Sequence, residues 1–363
     1  MLVDGTPHRT VDWADGQLLL IDQPVLPHEF RIWRTDDHRE AAVAISTMIV
    51  RGAGAIGAAG AFGMALASRQ APDSSFDQYM KDAATTLANT RPTAQNLFGG
   101  INAVRAAIEG AGGGARPDDA RDAALAAARA WADADAAACE SIGRHGAELL
   151  QDGWGVSTHC NAGWLAFVDW GSALSPVYAA SRAGKSLQVF VDETRPRGQG
   201  SRLTAWELGS EGVDHVVIAD NAFGHLASHG EIQAVITGSD RVARNGDVAN
   251  KIGTFGHAVI ARHLGIPFYV ALPAATIDPD CPSGADIPIE ERGGDEVHYT
   301  WGVDDDGAFR RVRTSPASSG ARNPAFDVTP GGLVDGLITE HGVFPATDDG
   351  VGRILTCARA QTD

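Results

Sequence analysis

Short runs of β-branched and apolar residues recur in the second half of the chain, and each is followed by sequence typical of a helix. Strands that alternate with helices at intervals of ~20–35 residues are typical of βαβ units, whose strands form a parallel sheet. The predicted strands cover residues 155–158, 187–191, 215–219, 234–237 and 268–272. We therefore expect an α/β fold with a parallel sheet in the C-terminal part.

Polar residues follow each of these predicted strands. They occupy positions 158–161, 192–195, 220–221, 238–241 and 273–276. Open parallel sheets bind their ligands beyond the carboxyl ends of the strands, where these groups would converge. The pattern therefore predicts a site for a small molecule at that edge of the sheet.

The N-terminal part has a different character, because a β-rich segment over residues 1–35 gives way to a mainly helical pattern. A long Ala-rich helix follows, opening with Asp118 and Asp119 as first-turn acids and stopping near Gly153. We predict an N-terminal β and helical domain over 1–115, a connecting helix over 116–153 and a sheet domain over 154–363. An Asp-Gly turn predicts a β-hairpin insertion near 297–314.

Charge and cysteine usage exclude several classes of function. The chain has 29 basic and 46 acidic residues, a net charge of −17, which repels nucleic-acid backbones and anionic lipid. No run of ~18 apolar residues that could span a membrane occurs, and the N-terminus has no apolar signal segment. The four cysteines are scattered, without spacing typical of zinc sites or disulfide frameworks. We expect a cytoplasmic protein that binds neither nucleic acid nor membranes.

Residues 52–57 spell GAGAIG, which has the GxGxxG spacing of dinucleotide-binding turns. That fingerprint needs a preceding buried strand, yet the sequence before it is more typical of a helix. We favour close packing of small residues near an anion site over a nicotinamide or flavin site. Arg51 either holds a phosphate or caps a surface.

Three further places carry candidate chemistry. Cys160 follows a predicted strand and is either a small buried hydrophobe or a catalytic thiol. Asp240 is either a turn residue or a proton donor, whose carboxyl pKa would rise in a closed pocket. Residues 250–254 are predicted to begin a helix, where free N–H groups and Lys251 would cradle a phosphate; otherwise Lys251 is a solvated surface charge.

Eight motifs, in order from about residue 18 to 342, resemble those of the methylthioribose-1-phosphate isomerase family. This family is grouped with ribose-1,5-bisphosphate isomerase and with regulatory subunits of the eukaryotic translation-initiation exchange factor. The motifs are TMIVRGAGAIG, TRPTAQNL, THCNAG, DETRPRGQGSRLTAWEL, GSDRVARNGDVANKIGT, IPFYVALPAATID, IPIEER and NPAFDVTP.

The resemblance implies an N-terminal helical domain, a Rossmann-like C-terminal domain, a homodimer, and no cofactor or metal. Cys160 is implied as catalytic and Asp240 as its acid/base partner. The implied contacts to substrate phosphate and sugar are Arg51, Gly52, Ala53, Arg91, Gln199, Asn250 and Lys251.

The family reaction is the aldose–ketose isomerisation of 5-methylthioribose 1-phosphate to 5-methylthioribulose 1-phosphate, in methionine salvage. The phosphate on the anomeric oxygen prevents spontaneous ring opening, so an acid must protonate the ring oxygen and a second group must manage the C2 hydrogen. The resemblance implies Asp240 for the first task, and for the 2-hydroxyl, and Cys160 for the second. Proton transfer through an enolate and direct hydride shift are both compatible with this pair.

Three departures from the family pattern bear on the substrate. Gly54 replaces a proline and is expected to loosen the loop beside Arg51. Phe167 replaces a threonine, and the hairpin near 297–314 is inserted. Alternative substrates are therefore unphosphorylated 5-methylthioribose, a 5-deoxyribose phosphate and ribose 1,5-bisphosphate. A non-catalytic regulatory binding protein is a further alternative, which the presence of both Cys160 and Asp240 disfavours.

Overall fold

The computed structural model describes residues 1–92 and 94–360. Thr93, inside the motif TRPTAQNL, and residues 361–363, at the end of the predicted sheet domain, lie outside the described residues. The chain divides into two compact units. The first unit comprises Met1–Ser141 and Ala162–Ser175, and the second comprises Ile142–Asn161 and the described residues from Pro176 onward.

These units divide the chain differently from the predicted boundaries at residues 115 and 153. Residues 162–175 cluster with the first unit although they follow the first strand of the sheet. A boundary placed where composition changes cannot detect a short segment that returns to an earlier part of the fold. The predicted domain ranges therefore remain a prediction.

The first unit contains two small antiparallel β-structures and a set of helices. Its strands are β1 (Leu2–Val3), β2 (Thr6–Pro7), β3 (Val11–Ala14), β4 (Gln17–Ile21) and β5 (Ile32–Thr35). Its helices are α1 (His38–Ser46), α2 (Ala53–Gln70), α3 (Phe76–Ala88) and α4 (Gln95–Gly110). β1 pairs with β2, and β3, β4 and β5 form an antiparallel sheet in that order.

Helix α2 forms the centre of the first unit, and every residue from Gly54 to Ser68 is buried. A helix that is apolar on all sides must be covered on all sides. Its glycines permit close approach of α4: a Cβ at Gly57 would lie 2.9 Å from the Asn96 carbonyl oxygen, and one at Gly100 would overlap the Gly57 carbonyl oxygen. The small residues of the GAGAIG motif therefore serve helix packing.

Helix α5 (Pro117–Ala147) runs along the chain from the first unit into the second. Asp118 and Asp119 lie in its first turn, as predicted, where acids favour the positive end of the helix dipole. The helix ends at Ala147, before the predicted stop near Gly153. In the second unit the Lys185 Nζ donates hydrogen bonds to the carbonyl oxygens of Ala147 and Leu150, at 2.8 and 2.7 Å, and so satisfies this helix end.

The second unit contains a seven-stranded sheet, in the order β18-β17-β12-β9-β6-β7-β8. Its strands are β6 (Gly155–Thr158), β7 (Gln188–Asp192), β8 (His215–Ile218), β9 (Ala234–Thr237), β12 (Phe268–Ala271), β17 (Gly336–Thr339) and β18 (Gly342–Phe344). All neighbours pair in parallel except β17 and β18. This confirms the predicted α/β class, and the five predicted strands agree with β6, β7, β8, β9 and β12 to within one residue at each end.

A second sheet in this unit was not predicted. It has the order β13-β10-β11-β16, with β10 (Arg241–Ala243), β11 (Val248–Lys251), β13 (Ile277–Asp278) and β16 (Phe326–Thr329). The prediction that a helix begins at residues 250–254 is wrong for its first part. Asn250 and Lys251 end β11, antiparallel to β16 with Asn250 opposite Asp327 and Lys251 opposite Phe326. This pairing is remote along the chain, so the local sequence did not show it.

Further helices follow in the chain, and a hairpin lies between β13 and β16 in sequence. The helices are α6 (Ser175–Arg182), α7 (Ala205–Ser210), α8 (Phe223–Ser228), α9 (Thr254–Leu264), α10 (Asp295–His298) and α11 (Asp348–Ala360). The predicted hairpin is present as β14 (Tyr299–Val303) and β15 (Phe309–Arg313), paired antiparallel. Across residues 1–92 and 94–360, no helix combines the length and apolar character needed to cross a membrane.

Candidate active site

Cys160 follows β6 at the carboxyl edge of the large sheet and is buried, with 9% of its surface exposed. Its backbone is left-handed, with φ of 69°, a conformation that non-glycine residues adopt at a cost. Two threonines hold it: the Cys160 amide donates to Thr194 Oγ1 at 2.9 Å, and Thr204 Oγ1 donates to the Cys160 carbonyl at 2.8 Å. The thiol is therefore presented by a backbone fixed on both sides.

The side chain of the next residue, Asn161, holds the same loop through a hydrogen bond. Its Nδ2 donates to Glu207 Oε1 at 2.7 Å, and Glu207 Oε2 accepts from the Tyr178 hydroxyl at 2.9 Å. Glu207 and Tyr178 are both fully buried. Burial, and then the charge of Glu207, raise the pKa of Tyr178 well above its usual range, so the phenol remains a donor to the carboxylate.

Lys251 brings the charged groups of the site together. Its side chain is buried, Nζ donates to the Ala325 carbonyl at 3.0 Å, and it lies 4.9 Å from the centre of the Phe326 ring. Burial lowers the pKa of Lys251, while electrostatic interactions with Cys160 and Asp240 act in the opposite direction. The like charges of Arg292 and Arg197 lower it further. Lys251 is thus a buried group, not a solvated surface charge.

Asp240 lies in the turn between β9 and β10, after the carboxyl end of β9. Its amide donates to the Ala249 carbonyl at 3.0 Å, which fixes the turn against β11. The residue itself is exposed. Asp240 interacts electrostatically with Lys251, and its role as a proton donor stays a prediction.

Gln199 and Asn250 are the remaining predicted site residues of the second unit, and both are buried. The Gln199 Oε1 atom is buried and accepts no hydrogen bond from any described residue. A buried acceptor without a hydrogen bond raises the free energy of the folded state. A ligand that donates a hydrogen bond to this atom, such as one with a hydroxyl group, would therefore be bound favourably. Asn250 Nδ2 donates to Thr254 Oγ1 at 3.0 Å, which joins the end of β11 to the start of α9.

His159, Asp192 and His257 form a buried cluster beneath Cys160. His159 Nδ1 and His257 Nε2 each lie 2.6 Å from the same oxygen, Asp192 Oδ2. By residue type these three groups offer metal ligands. His159 Nδ1 is hydrogen-bonded to Asp192 Oδ2, whereas His257 Nε2 lies at ion-pair distance from the same oxygen without hydrogen-bond geometry.

The hairpin and the segment around Gln199 together line a cavity of about 370 Å³. The hairpin contributes Tyr299, Trp301 and Arg311 to its wall. Arginines 195, 197 and 202 line the facing side. Burial, followed by the charge of Arg197, lowers the pKa of Arg202. The inserted hairpin is therefore part of a polar cavity next to a predicted binding residue.

Three of the four predicted residues of the first unit lie around the start of α2. Arg51 is buried and its Nε donates to Gln23 Oε1 at 3.1 Å. Gly52 has a φ of 92°, and a Cβ there would lie 2.5 Å from the Ala166 carbonyl oxygen, so only glycine fits. Ala53 is the first residue of α2. The preceding element is helix α1, so the strand that a dinucleotide fingerprint requires is missing.

Gly54 does not loosen a loop, as its replacement of a proline led us to expect. It lies in the first turn of α2 and is buried. A Cβ at Gly54 would lie 2.5 Å from Phe167 Cδ1 and closer still to Asp135 Oδ1. The two departures from the family pattern are therefore in contact, because the Phe167 ring fills space next to Gly54. Arg91 lies between α3 and α4 in the same unit.

Several residues of this arrangement were not assigned roles from the sequence. His159, Asp192, Arg197 and Arg292 each stand inside a quoted motif, but nothing in the local pattern separated them from their neighbours. Arg292 Cζ lies 5.9 Å from the Phe326 ring, on which Lys251 also lies. The sequence feature that could have identified these residues was their position within the motifs THCNAG, DETRPRGQG and IPIEER.

Comparison with known proteins agrees with the motifs. The Initiation factor 2 subunit family model matches residues 49–346. Methylthioribose-1-phosphate isomerase of Methylorubrum extorquens is 51% identical, covering 97% of this chain and 97% of its own length. The chain belongs to the methylthioribose-1-phosphate isomerase family. A second relative of that name, from Acidiphilium cryptum, is 47% identical over the full length of both chains.

Two solved structures share this fold at high identity. The crystal structure of 5-methylthioribose 1-phosphate isomerase from Pyrococcus horikoshii has a TM-score of 0.87 and 38% identity, and covers 97% of each chain. The structure of the translation initiation factor eIF-2B, subunit delta, from A. fulgidus has a TM-score of 0.84 and 41% identity. It covers 96% of this chain and all of the other.

Proposed function

We propose that this protein is an aldose–ketose isomerase that converts 5-methylthioribose 1-phosphate to 5-methylthioribulose 1-phosphate. The observation that supports this most directly is the electrostatic interaction of buried Lys251 with Cys160 and Asp240. A thiol and a carboxylate provide the two proton-handling groups that the reaction needs, and the buried ammonium group stabilises negative charge between them. The full-length relatives bearing the isomerase name support the substrate.

Asp240 starts the reaction as an acid. It donates a proton to the ring oxygen while the bond from that oxygen to C1 breaks, which opens the ring. The C2 hydrogen then moves to C1, and the 2-hydroxyl returns its proton to Asp240 as C2 becomes a carbonyl. The carboxylic acid is thereby regenerated. In the enolate route Cys160 carries the C2 proton to C1, and in the hydride route it screens the migrating hydrogen from water.

The binding residues divide according to the chemistry they offer. The cations Arg51, Arg91 and Lys251 suit the phosphate, and the backbone at Gly52 and Ala53 adds N–H donors at the start of α2. Asn250 and Gln199 suit the sugar. The Gln199 Oε1 atom needs a donor, and a sugar hydroxyl supplies one, whereas a phosphate oxygen does not.

The experiment that tests this function compares sugars at equal concentration with the purified protein. Carbon NMR would follow ketose formation from 5-methylthioribose 1-phosphate, unphosphorylated 5-methylthioribose, 5-deoxyribose 1-phosphate and ribose 1,5-bisphosphate. We expect the highest kcat/KM with the first. A higher kcat/KM with one of the other sugars would leave the proposed roles of Cys160 and Asp240 unchanged but would identify that sugar as the substrate.

A regulatory binding role is the competing hypothesis, because the A. fulgidus relative is named as an initiation-factor subunit. Such a role does not require Cys160 and Asp240 around a buried lysine. Absence of turnover with all four sugars would favour regulation over catalysis.

We further propose that the second unit is a Rossmann-like catalytic domain, and that the enzyme is a cytoplasmic homodimer needing neither cofactor nor metal. Four free cysteines suit a reducing compartment. Sedimentation equilibrium tests the dimer, and turnover after exhaustive dialysis against EDTA tests the independence from metal. The domain ranges 1–115, 116–153 and 154–363 are tested by limited proteolysis.

A further inference from the structure

A network of two imidazoles and one carboxylate lies directly beneath the proposed catalytic loop. His159, Asp192 and His257 are all buried, and both rings contact one carboxylate oxygen, as described above. Each ring also reaches a backbone carbonyl with its other nitrogen. His159 Nε2 lies 2.8 Å from the Ile252 oxygen, and His257 Nδ1 lies 3.0 Å from the Gly253 oxygen.

Counting protons shows that two neutral rings cannot satisfy these contacts. All four ring nitrogens lie within 3.0 Å of oxygen atoms, which are acceptors, whereas a neutral imidazole carries one N–H group. Two neutral rings would therefore leave two of the four contacts without a proton. Three of the contacts have hydrogen-bond geometry, and the fourth, between His257 Nε2 and Asp192 Oδ2, is a close approach without it. An added proton on the His257 ring turns that approach into an ion pair with an ionised Asp192.

The charges around the network balance these protons. Besides Asp192, the His257 ring interacts with Asp220 and Asp327, and His159 interacts with Asp327. Phe223 covers the other side of the His257 ring, with centroids 4.4 Å apart. Although burial acts in the opposite direction, the hydrogen bond and charge of Asp192 raise the pKa of His257. Burial acts to raise the pKa of Asp192, but interactions with both rings outweigh this effect and lower the pKa.

The network joins the segments that carry the reacting groups. His159 immediately precedes Cys160, and its ring holds the carbonyl of Ile252, which immediately follows Lys251. Asp192 ends β7, and its own carbonyl accepts from Thr194 Oγ1, the atom that receives the Cys160 amide. One bridge therefore connects the loops after β6, β7 and β11.

We propose that the His159–Asp192–His257 bridge is a positioning device that fixes the Cys160 thiol relative to the Lys251 ammonium group, and that it does so only while protonated. This rests on the isomerase function proposed above. When pH rises through the raised pKa of His257, the bridge loses a proton, and the carbonyl at Ile252 or Gly253 loses its donor. Reacting groups that shift by even ~1 Å lose about 100-fold in rate.

The test is the pH profile of kcat in Asp192→Asn. Asparagine keeps the shape but removes the charge that holds the protons on the rings. We expect kcat at pH 7.5 to fall by about 10- to 100-fold with little change in KM. The alkaline decline of kcat should move to lower pH by about one unit, the shift that follows from losing a neighbouring opposite charge.

Asp335→Asn is the matched control. Asp335 accepts from the Phe268 amide at 2.8 Å, at the opposite edge of the same sheet. Its replacement removes a carboxylate from the unit without touching the bridge, so the pH profile should stay that of the wild type. An Asp192→Asn enzyme whose kcat profile overlays that of the wild type would overturn the proposal, even if its melting temperature were lower.

A second measurement does not depend on activity. In protein labelled with ¹⁵N-histidine, we expect the His257 ring signals, identified by their loss in His257→Gln, to remain those of imidazolium above the ordinary histidine pKa of ~6.5. Titration of the His257 ring like an exposed histidine would overturn the bridge whether or not the protein isomerises sugars. Stoichiometric metal in purified active enzyme that is lost from Asp192→Asn would overturn it in favour of a metal centre. Absence of turnover in the wild type would instead refute the proposed function alone.

Discussion

The two units present their candidate functional residues in different ways. In the first unit, Arg51 and Gly52 lie at the start of a helix whose interior is packed through glycine and alanine. In the second unit, Cys160 and Asp240 lie in turns after parallel strands and are held by hydrogen bonds between side chains and backbone. The first arrangement depends on the absence of side-chain volume, whereas the second depends on correctly placed polar atoms.

This difference implies different consequences of mutation. Close packing resists added volume, so changes at glycines in the first unit should reduce stability. Hydrogen-bonded turns tolerate isosteric substitutions, which keep the shape of the side chain. Such substitutions still remove a group that transfers protons, so in the second unit they should reduce turnover. The following predictions test this contrast, in order of decreasing expected effect.

The largest effect is expected for Cys160→Ser and Asp240→Asn in the second unit. Each removes a proton-handling group and should lower kcat by about 100- to 10,000-fold, the usual worth of general acid–base catalysis. Thermal unfolding should be nearly unchanged. Steady-state isomerisation of 5-methylthioribose 1-phosphate gives the rate, and calorimetry gives the stability.

Cys281→Ser is the matched control for the thiol. Cys281 is also buried in the second unit, and its Sγ donates to the Ser283 carbonyl at 3.3 Å, a bond that serine retains. It should keep the wild-type rate. Near-wild-type rates in both Cys160→Ser and Asp240→Asn would refute the assignment of catalysis to the second unit.

A smaller effect is expected for Arg51→Ala in the first unit. Loss of a charged hydrogen-bonding group costs ~1.5–3 kcal/mol, so KM for the phosphorylated sugar should rise by about 10- to 100-fold. The rise should be absent with an unphosphorylated sugar. Arg69→Ala, in the last turn of α2, should leave KM unchanged. An equal rise for both sugars would show that Arg51 does not recognise phosphate.

The smallest effect is expected for a pair of glycine substitutions that compares the units directly. Gly54→Ala places a Cβ against Phe167 and Asp135 and should lower the free energy of unfolding by about 1–3 kcal/mol. Gly256→Ala, in the first turn of α9, meets no atom within 4 Å and should raise it by up to about 1 kcal/mol. Denaturant unfolding measures both. Equal destabilisation would contradict the contrast in packing.

Much of the second unit was predictable because its strands are short, β-branched and regularly spaced. The positions of β6 and β9 agree with the prediction to the residue. The polar residues after them lie at one sheet edge because parallel strands share their direction. The motifs added the residues of the candidate site, whose roles remain predictions, and the relatives confirmed the family.

The remaining features depended on contacts between residues far apart in sequence. The strand β11 was taken for the start of a helix, because its partner β16 lies more than 70 residues away. Gly54 was expected to loosen a loop, because its contact with Phe167 is not visible locally. The boundary at residue 153 could not show that residues 162–175 cluster with the first unit.

The sequence by itself determined the α/β class, the positions of five strands of the large sheet and the family, because these follow from local periodicity and ordered motifs. Only the tertiary structure decided that Lys251 is buried and interacts with Cys160 and Asp240, and that one carboxylate contacts both His159 and His257. Burial, charge and proton sharing are properties of groups brought together in space. These properties cannot be predicted from any stretch of consecutive residues.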